Sequence, residues 1–178
     1  MPTTRLVLDA FTHRFQDQKQ MAEKAIAQLP TNQLHIPLDE NTNAIAVIMK
    51  HMAGNLRSRF TDFLTTDGEK PDRNRDAEFL DTHPTREALL QDWNTGWSAL
   101  FSALAPLTDT DLARTITIRN QPHTIADALA RALAHQSYHV GQIIQLARYL
   151  AKENWQTLTI PKGASTQFNQ SMQQKYGK

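Results

Sequence analysis

The sequence contains no cysteine among its 178 residues. This absence excludes disulfide bonds, cysteine nucleophiles and thiolate metal ligands, so any metal ion must be bound through nitrogen or oxygen. The chain also lacks an apolar run long enough to span a membrane, and residues 1–9 lack the apolar core of a signal peptide. We therefore expect a cytoplasmic protein that makes no membrane contact.

A strong charge of either sign is absent as well, because the formal net charge is only +1. This balance gives no reason to expect a nucleic-acid partner. The basic cluster Arg57, Arg59, Arg73 and Arg75 is interleaved with aspartate and glutamate, which predicts a solvated face of mixed charge. The length suits one domain over residues 1–178, and a hydrophobic content of 40% suits an ordinary globular core.

Four segments show the three- and four-residue apolar spacing of amphipathic helices. They run over residues 8–29, 45–63, 90–104 and 129–150. Four helices of this length bury their apolar stripes most simply against one another, which predicts an all-α four-helix bundle. The predicted N-caps of the last three helices are Thr42 or Asn43, Thr85, and Thr124 with Asp127.

Three further segments connect or follow these helices. Residues 65–82 are polar and predict a long loop between the second and third helices. Residues 115–118 alternate polar and apolar side chains, which predicts a small hairpin before the fourth helix. Trp155, Leu158 and Ile160 predict that the tail packs along the bundle.

Three of the seven histidines lie on apolar helix faces. His135 and His139 are four residues apart, so both rings lie on one face of the fourth helix, one turn apart. His51 lies between Ile48 and Met52 in the stripe of the second helix. A divalent metal would give all three imidazoles one shared partner. Spacing alone leaves this reading and that of ordinary hydrogen-bonded core histidines equally open.

Three polar residues close to these histidines are candidates for catalytic or supporting roles. Asn55 lies one turn after His51 and could hydrogen-bond substrate or water. Gln142, three residues after His139, could orient that ring. Arg131, one turn before His135, could meet a substrate carboxylate or could simply be solvated. The other four histidines, in polar or loop contexts, are predicted surface residues: His13, His35, His83 and His123.

The residues around the three histidines also carry a family likeness. The segment KHMAGNLRSR at residues 50–59 and the segment AHQSYHVGQ at residues 134–142 resemble the DinB/YfiT-like superfamily of metalloenzymes. The likeness covers most of the chain, including TDGEK at residues 66–70 and IPKG at residues 160–163. Within the superfamily it is strongest to an uncharacterised bacterial branch of about this length.

This resemblance implies a four-helix bundle that pairs as a homodimer. It implies one divalent ion, nickel or zinc ahead of iron or manganese, bound by His51, His135 and His139. Members of the superfamily include S-transferases that use low-molecular-weight thiols, a maleylpyruvate isomerase and metal-dependent hydrolases. The resemblance thus implies a small-molecule substrate, and a thiol as a candidate co-substrate.

The chemistry of such a site follows from its neutral ligands, which leave the metal its full positive charge. That charge lowers the pKa of a bound thiol or water, so thiol-dependent S-transfer and hydrolysis are both expected outcomes. S-transfer is the first hypothesis and hydrolysis the second, while a non-catalytic, stress-linked metal-binding dimer is a third. A carboxylate closing the fourth coordination position would favour the third, and neither histidine segment has one well placed along its helix.

Overall fold

Helices make up most of the structure. The computed structural model describes residues 4–177. In this range there are five α-helices: α1 (Leu6–Ile26), α2 (Ile45–Phe60), α3 (Arg86–Leu104), α4 (Ile125–Ala151) and α5 (Ser165–Tyr176). The only sheet in the same range is an antiparallel hairpin of β1 (Thr115–Ile118) and β2 (Gln121–Thr124). A mainly helical chain with a hairpin before the fourth helix is therefore confirmed.

The apolar stripes of α1 to α4 meet in one core. Helix α2 packs along α3 and α1 packs along α4, with further contacts between α2 and α4 and between α1 and α3. Trp93 and Trp97 of α3 are fully buried in this core, as their positions in the stripe predict. Helices α2 and α3 approach most closely at Gly96, where an added Cβ would lie 2.6 Å from the Cα of Ala53.

Side-chain caps fix the starts of two helices but not of a third. The Oγ1 of Thr85 accepts a hydrogen bond from the Ala88 N–H at the start of α3, as predicted. Thr124 caps α4 in the same way by accepting from the Asp127 N–H. The predicted cap of α2 by Thr42 or Asn43 is wrong. Helix α2 begins after Ala44, because Thr42 instead closes a turn with Asp39.

The long loop between α2 and α3 packs against both α2 and the hairpin. A short 3-10 helix, Asp76–Phe79, forms within it and packs against α2. The turn of the hairpin joins the loop through Asp67, whose carboxylate accepts the backbone N–H groups of Arg119 and Asn120, each at 2.8 Å. These two residues have φ values of 55° and 62°, the left-handed pair that a two-residue hairpin turn requires.

The tail follows the bundle only in part. Trp155 and Leu158 pack against the core, as predicted. Ile160 is exposed, and helix α5, which was not predicted, buries none of its residues, so the predicted packing of the tail ends at about Leu158. Among residues 4–177, no helix combines the length and the apolar character that crossing a bilayer requires.

Candidate metal centre

The structure brings His51 of α2 together with His135 and His139 of α4. One nitrogen from each ring lies within 4.8 Å of one nitrogen from each of the others. The Nε2 atoms of His51 and His135 are 3.3 Å apart. Two nitrogens that bind one ion tetrahedrally at about 2.1 Å are about 3.4 Å apart, so this pair has the spacing of a shared ion. The three histidines thus form a group that could hold a metal ion.

The ring of His51 is oriented by a buried carboxylate. Its Nδ1–H donates to Oε2 of Glu78 at 2.9 Å, which leaves the lone pair of Nε2 directed at the group. Glu78 in turn accepts two hydrogen bonds from the Arg73 guanidinium, at 2.8 and 2.9 Å. Burial acts to raise the pKa of Glu78, but its bonds to His51 and Arg73 outweigh burial and lower that pKa, so the group stays ionised.

The two α4 histidines have amide partners at Nδ1. The Nδ1 of His139 lies 2.7 Å from Oε1 of Gln142, which leaves Nε2 free for an ion. The Nδ1 of His135 lies 3.3 Å from the amide nitrogen of Gln136. Gln136 is fully buried, and its Oε1 has no hydrogen-bond partner within residues 4–177. A half-turn of this amide gives Oε1 to the Nδ1–H that His135 needs when it binds metal through Nε2.

The surroundings of His135 and His139 favour their neutral forms, and neutral imidazole is the form that binds metals. Burial, followed by the positive charges of neighbouring histidines and arginines, lowers the pKa of His135 from 6.5 to about 3. Burial also lowers the pKa of His139, although its hydrogen bond to Gln142 partly opposes the shift. Three features therefore fit a divalent ion: the three imidazole nitrogens, the hydrogen-bond partners at Nδ1 of each ring, and the neutral forms of His135 and His139.

The three histidines form one wall of a pocket of about 310 Å³. Its apolar side is made by Phe60, Phe63, Phe79 and Ile118. The ring of Phe79 stacks on that of His51 with a centroid separation of 4.7 Å. A pocket of this size accommodates a small molecule and excludes a folded partner.

Five arginines line the same pocket, and two of them overturn an expectation. The basic cluster of Arg57, Arg59, Arg73 and Arg75 was predicted to be a solvated face. The side chains of Arg59 and Arg73 are, however, only 10% and 5% exposed. Both bind Glu69, which also accepts from Arg119 of the hairpin turn at 3.0 Å. Sequence reasoning missed this burial, because mixed charge at the end of α2 and in the following loop carries no sign of which side chains face inward.

Residues 3–164 of this chain match a family model that is described as a protein of unknown function, DUF1572. The chain belongs to the DUF1572 family. No curated protein and no solved structure matches it. The DUF1572 region includes α1 to α4 and all three histidines but stops before α5, so the candidate metal centre lies wholly inside it.

Within the DUF1572 fold, the three candidate polar residues lie near the histidines in different ways. Asn55 is half-buried and lines the pocket. Gln142 is exposed and contacts His139, the position expected for an orienting residue. Arg131 is exposed and also lines the pocket. Tyr138 also lines the pocket, with its ring centroid 4.4 Å from that of His139.

Sequence reasoning on this DUF1572 chain missed one residue of the centre entirely. Glu78 lies 27 positions after His51 in a loop without apolar periodicity, so no spacing rule connects the two. The other four histidines lie outside the group and each pairs with an aspartate: His13 with Asp17, His35 with Asp81, His83 with Asp92 and His123 with Asp127. His13 is well exposed, as predicted, whereas the side chains of His35, His83 and His123 are only partly exposed.

Proposed function

We propose that this protein is a metal-dependent enzyme acting on a small molecule. One observation carries the proposal: the three histidines that could hold an ion form a wall of a pocket rather than a closed cage. Catalytic sites keep a coordination position open towards such a space, whereas structural sites fill all positions with protein ligands. Among the described residues, no carboxylate belongs to the histidine group, which favours an enzyme over a passive metal store.

His51, His135 and His139 would hold the ion. When bound, a divalent ion lowers the pKa of a thiol or a water, and so provides a nucleophile near neutral pH. We propose S-transfer from a low-molecular-weight thiol first and hydrolysis second, as the DinB/YfiT-like resemblance implies. The same resemblance supports zinc or nickel as the ion, a four-helix bundle formed by α1 to α4, and a homodimer.

The chain's own residues contribute orientation and exclusion of water. Glu78 fixes the tautomer of His51, and Gln142 does the same for His139. The aromatic side of the pocket shields the reacting groups from bulk water, which strengthens every electrostatic interaction inside. The amide of Asn55, half-buried at the pocket wall, is positioned to hydrogen-bond a polar group of the substrate.

Metal analysis of the purified protein tests the first step. After loading with zinc or nickel and removal of excess ion, we expect about one ion per chain. The His135→Ala variant should lose the ion, while the His13→Ala variant, altered at an exposed histidine of α1, should retain it. Equal metal content in wild type and His135→Ala would contradict the proposed site.

Turnover tests the second step. Metal-loaded and chelator-stripped protein are compared on pairs of low-molecular-weight thiols and electrophiles, and separately on esters and amides. We expect product only from the loaded protein, and the class of substrate that reacts assigns S-transfer or hydrolysis. A fully loaded protein that turns over none of these substrates would favour a metal-binding protein without catalysis.

A further inference from the structure

The pocket beside the histidines carries more positive than negative charge. Five guanidinium groups line it, and within residues 4–177 only two carboxylates, those of Glu69 and Glu78, form ion pairs with any of them. The histidines add no negative charge, and a bound divalent ion would add positive charge. A partly enclosed site with this excess attracts anions, because low-dielectric walls focus the field into it.

Three of the five arginines have a structural explanation. Arg59, Arg73 and Arg119 tie the loop and the hairpin together through Glu69 and Glu78. If structural support were the whole role of the basic residues, all five would be paired in this way. Arg75 and Arg131 are not, since neither makes an ion pair with a carboxylate in the described part of the chain.

Arg75 and Arg131 both line the pocket that the three histidines border. The Arg75 guanidinium lies over the Phe79 ring, 5.1 Å from its centroid, and Phe79 stacks on His51. Arg131 is one helical turn before His135 on α4.

We infer that the substrate is an anionic small molecule whose carboxylate or phosphate group is bound by Arg75 and Arg131, with its reacting part directed at the three histidines. Guanidinium groups match both kinds of oxyanion by forming two parallel hydrogen bonds. This inference rests on the proposed function, because it names the class of substrate for the same pocket.

Binding of simple anions tests the inference without any turnover. Isothermal titration calorimetry is performed on metal-loaded protein with inorganic phosphate, with succinate and with uncharged succinamide. The variants are Arg75→Gln, Arg131→Gln and the double variant, with Arg148→Gln as a control at an exposed arginine of α4 outside the pocket. Because the altered arginines are exposed, each variant should fold, and thermal unfolding verifies this.

We expect at least one of the two anions to bind, and its Kd to rise about tenfold for each arginine removed. The Arg148→Gln control should bind within twofold of wild type, and succinamide should show no dependence on the arginines. A response to phosphate alone assigns a phosphate group, and a response to succinate alone assigns a carboxylate. The same Kd in wild type and double variant, or no binding of either anion, would overturn the inference.

Metal content measured on the same samples distinguishes a failure of the anion-binding inference from a failure of the proposed metal-dependent function. A double variant that keeps its ion but has an unchanged anion Kd contradicts the choice of substrate and leaves the metal centre standing. A wild-type protein that retains no ion contradicts the proposed function itself.

Discussion

The carboxylate of Glu78 lies 2.9 Å from Nδ1 of His51, although the two residues come from a loop and a helix that share no sequence pattern. Glu78 is buried and is held from its other side by Arg73. This arrangement fixes the tautomer of His51 and makes Nε2 a better donor to a cation. The candidate metal centre therefore extends beyond its three imidazoles.

Replacement of Glu78 tests this extension. Glu78→Gln keeps the volume of the side chain but removes the charge that His51 and Arg73 share. We expect zinc affinity to fall about 10- to 100-fold, measured by competition with a chromophoric chelator. Glu87→Gln, at an exposed glutamate in the first turn of α3, is the matched control and should not change it. Unchanged affinity in Glu78→Gln would show that the carboxylate supports the loop only.

Gly54 is the neighbour that leaves room for Glu78. A Cβ at this position would lie 2.4 Å from Oε1 of Glu78, so Gly54→Ala must displace the carboxylate. We expect lower zinc affinity and a lower melting temperature. Gly141→Ala is the control, because Gly141 is also helical and a Cβ there meets nothing within 4 Å. That control should gain about 0.5–1 kcal/mol of stability from its helix propensity. Equal zinc affinity and equal melting temperature in the two variants would contradict the idea that Gly54 leaves space for Glu78.

Replacement of Gln136 should affect metal binding without lowering the stability of the metal-free protein. Gln136→Leu removes the partner of the His135 Nδ1–H but also removes a buried oxygen that has no partner in the described structure. We expect zinc affinity to fall about tenfold while the free energy of unfolding of the metal-free protein does not fall. Gln145→Leu, at an exposed position of the same helix, serves as the control for both measurements. A large loss of metal-free stability would show that Gln136 has a mainly structural role.

Asp67 should make the stability of the hairpin depend on pH. Backbone N–H groups of Glu69 and Asn120 lower its pKa from 3.8 to about 2. Because the folded-state pKa is the lower one, the stabilisation is complete above about pH 4 and is lost as the pH falls towards 2. Asp67→Asn should therefore cost about 1–2 kcal/mol at pH 7 by urea unfolding, with a smaller difference from wild type at pH 3. Asp72→Asn, exposed in the same loop, should show neither effect.

The sequence predicts the parts of this molecule that depend on helical periodicity. The stripes of α2 and α4 are regular, so His51, His135 and His139 could be assigned to inward faces before their rings were seen to meet. The N-cap at Thr85 follows from equally local chemistry. The cap of α2 failed because Thr42 had two local options, and the turn with Asp39 prevailed.

The loop between α2 and α3 could not be predicted in the same way. The inward position of Arg73 depends on Glu78 being present to compensate its charge, and Glu78 depends in turn on the space left by Gly54. Such mutual dependence between a loop and a helix is a property of tertiary packing, so it leaves no periodic signal. The tail helix α5 was not predicted either, since it buries none of its residues and therefore has no apolar stripe that faces a core.

The three histidines of the candidate metal centre come from α2 and α4, while most of the charged groups around the pocket come from the loop and the hairpin turn. Helices that build the core tolerate little change, whereas a surface connection can change in length and composition at small cost. The three histidines thus lie on helices, whereas Arg75, one of the two arginines proposed to bind the substrate, lies in the loop. Substitutions in this connecting segment could therefore alter substrate preference without changing the histidine group.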